Sequence, residues 1–268
     1  MTWKLNVNDK GFMMKKRFSI IVGLTLIAAL AYAGGERAPQ SQPEGESYFT
    51  AKLGYGVGGT SPLPIPAEIR EIKGFKPLCN LSVQGLYRIA LSERWGIQPG
   101  LRVERKGMTS DANVKNYGMT ITDEEGGTVS GRWTGDVSMT ADMIQLTLPF
   151  SAAYRCSSRW DLHAGLYMGF LLRHKFYGEV SNGYLREGDP TGAKIEIDDQ
   201  PQTFDFSEDM RNLQIGLTAG LDYKIYSRLG VFADLNWGLN NIFVKDFTTI
   251  TFNMYPIYAT IGLSYSLK

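Results

Sequence analysis

The sequence has few residues of the types that usually mark redox, metal or catalytic centres. Its 268 residues include only two cysteines and two histidines. No C-x-x-C, H-E-x-x-H or G-x-S-x-G spacing occurs. The formal net charge of +1 gives no electrostatic reason to expect nucleic-acid binding. We therefore assign no catalytic, cofactor-binding or metal-ligating residue, and we predict that the protein is not an enzyme.

Long apolar runs are equally scarce, because only residues 18–30 form one. Basic residues 15–17 precede this run and Ala31-Tyr32-Ala33 follows it, which is the pattern of a secretory signal cleaved after Ala33. The run is short for a membrane-spanning helix. We predict an N-terminal extension and signal peptide over 1–33, a flexible periplasmic leader over 34–47 and one domain over 48–268. Three methionines (Met1, Met13 and Met14) are candidate start residues.

The rest of the chain shows an alternation of apolar and polar residues with a period of two. The final residues, 260–268, show it without interruption: Ile261, Leu263, Tyr265 and Leu267 alternate with Thr, Gly and Ser. No later segment has helical periodicity. Eight segments have the strand pattern: 48–57, 78–91, 94–106, 143–155, 160–173, 212–225, 229–240 and 254–268.

The connections between these segments alternate in length. Three are tight turns, near 92–93, 156–159 and 226–228, whereas four are long, over 58–77, 107–142, 174–211 and 241–253. Tight periplasmic turns and longer outer loops are typical of bacterial outer-membrane barrels. The sequence therefore predicts an all-β fold, an eight-stranded antiparallel up-and-down transmembrane β-barrel, with both termini on the periplasmic side.

Alternation alone does not decide which face of such a barrel is outside. A soluble lipocalin-like binding barrel would turn the apolar face inward, and it stays an alternative. Lipid outside is favoured because the strands are long enough to cross a bilayer obliquely, and because the polar face combines glycines with charges of both signs. Aromatic residues also lie near strand ends on the apolar face, as in an interfacial girdle: Trp95, Tyr154, Trp160, Tyr223, Tyr255 and Tyr265.

Three short stretches carry a family resemblance. These are Gly96-Ile97-Gln98-Pro99-Gly100-Leu101 with Lys106-Gly107, Ile144-Gln145-Leu146-Thr147-Leu148-Pro149-Phe150, and Gly165-Leu166-Tyr167-Met168-Gly169. They resemble the small outer-membrane β-barrel domain family often called PorT-like, over about residues 49–268. The resemblance implies an eight-stranded outer-membrane barrel. It implies no single activity, since some members serve protein secretion, and it transfers no catalytic residue.

The polar face predicts a charged network inside the periplasmic half of the barrel. Strands run alternately up and down, so several charged residues of inward parity fall at similar heights, and burying any one of them alone would be costly. We expect a structural plug, with Arg155 and Asp161 as its first pair across a tight turn. Its predicted members are Arg88, Arg155, Asp161, His163, Asp222, Lys224 and Asp234. Cys79 and Cys156 fall at opposite ends of the barrel, so we predict two unpaired thiols.

These observations predict a non-enzymatic outer-membrane barrel of a Gram-negative cell surface, with long extracellular loops and a structural, adhesion or secretion-accessory role. The expected partners are outer-membrane lipid and lipopolysaccharide, the barrel-insertion machinery during biogenesis, and an unidentified extracellular or secretion partner. Residues 176–210 contain nine acids and two bases, a net charge of −7. A solvated loop is the simplest interpretation, and a cation-bridging surface and a docking patch for a basic partner are the alternatives. An outer-membrane lipid or peptide hydrolase is the main alternative, with His174 its candidate residue.

Overall fold

The computed structural model describes residues 46–122, 128–197 and 201–267. The predicted signal peptide and all but the last two residues of the predicted leader lie outside these ranges. Over the described part of the chain, no helix is long and apolar enough to cross a membrane.

Eleven strands make up one antiparallel sheet. Their bounds are β1 Tyr48–Pro62, β2 Ile69–Pro77, β3 Leu81–Ala90, β4 Trp95–Thr122, β5 Thr128–Arg155, β6 Trp160–Glu187, β7 Lys194–Ile197, β8 Gln202–Asp205, β9 Leu213–Lys224, β10 Leu229–Gly238 and β11 Met254–Leu267. Eight of them form a closed ring in the order β1-β3-β4-β5-β6-β9-β10-β11, and β11 pairs back with β1. The predicted eight-stranded antiparallel barrel is confirmed.

The orientation of the side chains places the polar face inside. On β4, Gln98, Arg102 and Glu104 are buried, whereas Leu101 and Val103 are exposed on the outer surface. The soluble lipocalin-like alternative requires the opposite arrangement. At the turn end of the barrel, outward aromatic residues pair at 4.8 Å (Trp95–Tyr154) and 4.7 Å (Trp160–Tyr223) between ring centroids. This is the surface that a lipid bilayer requires.

The three longest strands differ from the prediction. β4, β5 and β6 each have 28 residues, so the predicted loops 107–142 and 174–211 are largely strand. Up to Lys106 the inward side chains of β4 are polar, but from Met108 onward the inward side chains include Val114 and the outward ones are polar. The polarity of the two faces therefore inverts between Lys106 and Met108, while the positions that point inward stay the same. Bulges at Val114/Tyr117 and Thr134/Asp136 interrupt the alternation further.

Above the inversion the barrel carries an apolar core of its own. We call this part the lobe; it comprises residues 107–122, 128–143, 171–187, 194–197, 202–211 and 239–254. Trp133, Phe176 and Ile242 are almost fully buried in it. Aromatic contacts continue through the core, with Phe176 and Phe243 at 5.0 Å. The lobe core contains Met108, Val114, Tyr117, Met119, Trp133, Val137, Ala141, Met143, Leu171, Phe176, Val180, Leu185, Phe204, Phe206, Met210, Ile242, Phe243, Ile250 and Met254.

A seam opens between β1 and β2. β2 and β3 both pair with β4, one above the other, and β1 pairs with β3 only as far as Tyr55 opposite Leu81. The amide of Gly56 donates to the Asn80 carbonyl at 2.7 Å. Beyond that point, over residues 56–62 and 69–77, which the structure describes in full, β1 and β2 share no strand pairing.

Candidate functional site in the barrel lumen

The lowest charged cluster surrounds one carboxylate. Asp161 stands opposite Arg155 in the β5–β6 register, so both side chains enter the lumen at the same height. Its Oδ1 lies 3.5 Å from Arg88 Nη1 and 3.5 Å from Arg155 Nε, and its Oδ2 lies 3.0 Å from Lys224 Nζ. The Lys224 ammonium also lies 5.7 Å from the centre of the Tyr48 ring. Three cations thus share one buried acid.

A second cluster lies one pleat higher and centres on His163. Its Nδ1 lies 3.3 Å from Asp222 Oδ2, and its Nε2 lies 3.1 Å from Asp234 Oδ1. Lys52 Nζ lies 2.9 Å from Asp222 and 3.8 Å from Asp234. Gly220 makes room for these contacts, because a Cβ there would lie 2.3 Å from Asp234 Oδ1 and 2.7 Å from His163 Nε2.

A third cluster lies at the top of the membrane-spanning part. Glu104 Oε1 lies 3.1 Å from both Arg102 Nε and Lys106 Nζ, and accepts a hydrogen bond from Thr147 at 3.0 Å. Lys106 Nζ lies 4.9 Å from the centre of the Tyr167 ring. A lone buried carboxylate or ammonium would be strongly destabilising, and these pairings remove that penalty.

The structure brings all seven predicted network residues into the two lower clusters. It differs from the prediction in one detail, since the group nearest to Asp161 is Lys224 rather than Arg155. Lys52 and the whole third cluster, with Arg102, Glu104 and Lys106, were missed. Their inward parity was readable in the alternation of β1 and β4, but the height at which each side chain meets its neighbours depends on strand register.

His174, the candidate residue of the hydrolase alternative, lies outside the lumen clusters. Its Nδ1 lies 2.9 Å from the backbone carbonyl oxygen of Ser207, and the Ser207 hydroxyl accepts from the Phe176 amide at 3.0 Å. Both side chains therefore join β6 to the segment after β8. The histidine faces the serine backbone rather than its hydroxyl, which is not the arrangement of a nucleophile and its base.

Cys79 and Cys156 are free, as predicted, and both are exposed. Among the residues with described positions, no group of three or more His, Cys, Asp or Glu side chains could hold a metal ion. Arg88, Arg102 and Lys106 are each 2% exposed, so large side chains occupy the lumen at the lowest and highest clusters. Eight strands leave an interior of a size that side chains can fill.

An outward apolar surface, a closed ring of eight strands and a charged, filled lumen define a bacterial outer-membrane β-barrel. The family model described as outer membrane protein beta-barrel domain matches residues 39–244. The chain belongs to this family, and the protein is located in the outer membrane of a Gram-negative cell, in contact with its lipid and lipopolysaccharide.

Several solved structures match the chain at low identity and low TM-score. One is Ail, the attachment invasion locus protein of Yersinia pestis, in complex with the heparin analogue sucrose octasulfate (10% identity, 83% of this chain and 99% of that chain, TM-score 0.38). Neisserial surface protein A is another (10% identity, 82% and 97% covered, TM-score 0.36). The outer membrane protease OmpT from Escherichia coli also matches (12% identity, 85% and 99% covered, TM-score 0.27). No curated protein matches the sequence. At these identities and TM-scores the matches give no information on what this chain does.

Proposed function

We propose that the protein is a non-enzymatic, non-conducting scaffold that displays the lobe for adhesion at the cell surface. The observation that carries this proposal is the lobe itself. Its apolar core, with Trp133 and Phe176 almost fully buried, lies beyond the point where the strands leave the membrane. A barrel that served only as a membrane plug would not need a second packed core outside the membrane.

The far end of the lobe is an ordered, exposed turn. β6 pairs with β7, and the turn between them is held by Asp189, whose Oδ1 accepts from the Thr191 amide and hydroxyl, both at 2.7 Å. A preorganised surface loses less conformational entropy when a partner binds than a disordered loop would. The acidic residues of the region, including Glu187 and Glu196, suit a partner with basic groups.

In this proposal the lumen clusters are a structural plug. The seven predicted residues, together with Lys52 and the cluster around Glu104, fill the interior and fix the register of the strands that carry them. Their mutual pairing supports this role, since each charge has an opposite neighbour within 4 Å.

A secretion-accessory role is the second candidate. It rests on the three sequence stretches that resemble the PorT-like family, of which some members serve protein secretion. Membership of that subfamily, insertion by the barrel-assembly machinery, and the signal peptide that would deliver the chain to it are part of the same proposal.

A deletion strain complemented with two versions of the gene separates the roles. The parental protein should restore attachment of cells to an anionic or cationic test surface, with a preference for the cationic one. The triple variant Glu187→Gln, Asp189→Asn, Glu196→Gln should insert normally and restore much less. Glu93→Gln, in an exposed periplasmic turn, is the matched control. If deletion leaves attachment unchanged and reduces secreted proteins, the adhesion role is wrong and the secretion role replaces it.

A further inference from the structure

An apolar pocket of about 340 Å³ lies in the seam between β1 and β2. One wall is the outer end of β1, residues 59–62, and another is the face of β4 from Met108 to Val114. Its volume is at the lower end of the range of about 300–1,000 Å³ that ligand pockets occupy, which suits a slender apolar group.

β2 is built to turn its apolar side chains into this pocket. Its sequence has an apolar residue at every third position: Ile69, Ile72 and Phe75. A regular strand would distribute these three side chains over both of its faces. Register shifts between Ile69 and Glu71 and between Ile72 and Gly74 bring all three onto the face of Met108, Ser110, Ala112 and Val114. Two bulges in nine residues therefore build one apolar wall.

The apolar side chains of that wall are unusually solvent-exposed for an inward face. Ile72 is 56% exposed and Phe75 is 47% exposed, although both line the pocket. Ile65, in the turn before β2, also lines it and is 57% exposed. Large apolar side chains left open inside a concave site mark a binding site rather than a packed core.

The pocket is continuous with the lipid-facing surface of the barrel. Ile257 lines it, and in the β10–β11 register Ile257 stands opposite Trp237, which is 44% exposed on the outer surface. Ile257 precedes Leu267, at the periplasmic end of β11, by ten residues. A tilted strand crosses a bilayer in about 9–11 residues, so the pocket begins at the outer border of the membrane.

The same strand exposes basic side chains beside the pocket. Arg70, Lys73 and Lys76 are all exposed on β2, against the single acid Glu71. Lys73 already pairs with Asp136 at 2.7 Å, while Arg70 and Lys76 flank it along the strand. An apolar pocket at the membrane border with cations next to it matches an amphiphile with an anionic headgroup.

We propose that the seam pocket binds one acyl chain of an anionic lipid of the outer leaflet, with the lipid's phosphate resting against Arg70 and Lys76. The chain would enter from the bilayer past Ile257 and lie between the bare face of β2 and Met108. The occupied pocket would fill the gap between β1 and β2, which share no strand pairing along their described lengths.

Pocket filling tests the acyl-chain site. The full-length protein, purified in a nonionic detergent, is titrated with a long-chain fatty acid that carries a polarity-sensitive fluorophore. Ala112→Trp places a large side chain on the pocket floor, and Leu172→Trp makes a matched enlargement on the lipid-facing side of β6. Ala112→Trp should weaken saturable binding by about tenfold or more, the loss expected when about two methylenes are kept out of the pocket. Leu172→Trp should bind as the parent does.

The headgroup contact needs a second probe. Transfer of the parent into nanodiscs of mixed phosphatidylglycerol and phosphatidylcholine, followed by native mass spectrometry, should show retained phosphatidylglycerol. Arg70→Gln with Lys76→Gln should lose this preference while keeping the fatty-acid probe. All variants are first checked for the parental difference in gel mobility between boiled and unboiled samples. Equal probe binding by Ala112→Trp and the parent, equal loss in Leu172→Trp, or no saturable binding at all would overturn the proposal.

Discussion

At the scale of single residues, Asp161 is the acid around which the lowest lumen cluster is built. Its carboxylate lies within 4 Å of three cations, those of Arg88, Arg155 and Lys224, and its side chain is 6% exposed. Removing it leaves three cations close together in a buried site, where solvent screens like-charge repulsion poorly. The carboxylate, rather than the volume of the side chain, is what the cluster requires.

Asp161→Ala should lower the free energy of unfolding by about 3–5 kcal/mol if the cluster is dry, and by less if water enters. Asp161→Asn should cost nearly as much, since it also removes the charge. Urea unfolding of the barrel in lipid vesicles, followed by gel mobility, measures the loss. Glu93→Ala, an exposed acid at the same end of the barrel, is the control and should unfold as the parent does. A parental midpoint for both Asp161 variants would mean that the plug is not structural.

In the lobe, Asp136 is a carboxylate that also connects several strands. It accepts hydrogen bonds from Asn113 at 2.8 Å, Lys73 at 2.7 Å and Asn182 at 3.3 Å, and so links β2, β4, β5 and β6. The hydrogen bonds from Asn113 and then Lys73 lower the pKa of this carboxyl below its ordinary value. Its stabilising effect is therefore present above the unfolded-state pKa, about 4, and is lost as the pH falls through the lowered folded-state value.

Acidification below about pH 4 should loosen β2 before the barrel opens. Hydrogen exchange of residues 69–77, corrected for the intrinsic rate at each pH, measures this protection. In the parent the protection should fall with pH, whereas in Asp136→Asn it should be lower throughout and change less. A parent whose β2 protection stays constant down to the acid unfolding of the barrel would contradict the assigned role of Asp136.

At the scale of elements, the long strands β4, β5 and β6 show which parts of the fold were readable from the sequence. Inside the bilayer one face meets lipid, so alternation is strong and the strands there were predicted. Past Lys106 the polarity of the two faces reverses. Met108 points into an apolar core, while Thr109 is half-buried on the other face, where its hydroxyl lies 3.0 Å from that of Thr140. The phase of the pattern changes and Asn116, at a φ of 58°, marks the bulge beyond it. A search for alternation that expects apolar residues at the same positions throughout therefore ends the strand near Lys106.

The lobe should unfold independently of the barrel, because its core is separate from the charged clusters below. Trp133 is 0% exposed in that core, and Trp133→Ala should destabilise the lobe by about 3–5 kcal/mol. Protease added to intact cells should then cut the lobe, while the remaining barrel keeps its folded gel mobility. Tyr177→Ala, at a site 44% exposed on β6, is the control. Loss of the folded barrel in Trp133→Ala would show that lobe and barrel form one cooperative unit.

At the scale of the whole molecule, two interiors of opposite character are stacked along one set of strands. The lower interior is charged because the outer surface there must be apolar for lipid, and the upper interior is apolar because the outer surface there must be polar for water. The seam pocket lies near the boundary between the charged interior and the apolar interior. From this arrangement we predict that the turn containing Cys156 lies in the periplasm and that the turn containing Asp189 lies outside the cell.

Labelling with a maleimide coupled to a polymer too large to cross the outer membrane tests that orientation directly. In a Cys79→Ala background that carries Asp189→Cys, intact cells should be labelled at position 189 and not at Cys156. Cys156 should react only after the outer membrane is permeabilised. Labelling of Cys156 in intact cells, with position 189 protected until permeabilisation, would contradict the account of a surface-displayed lobe on an outer-membrane barrel.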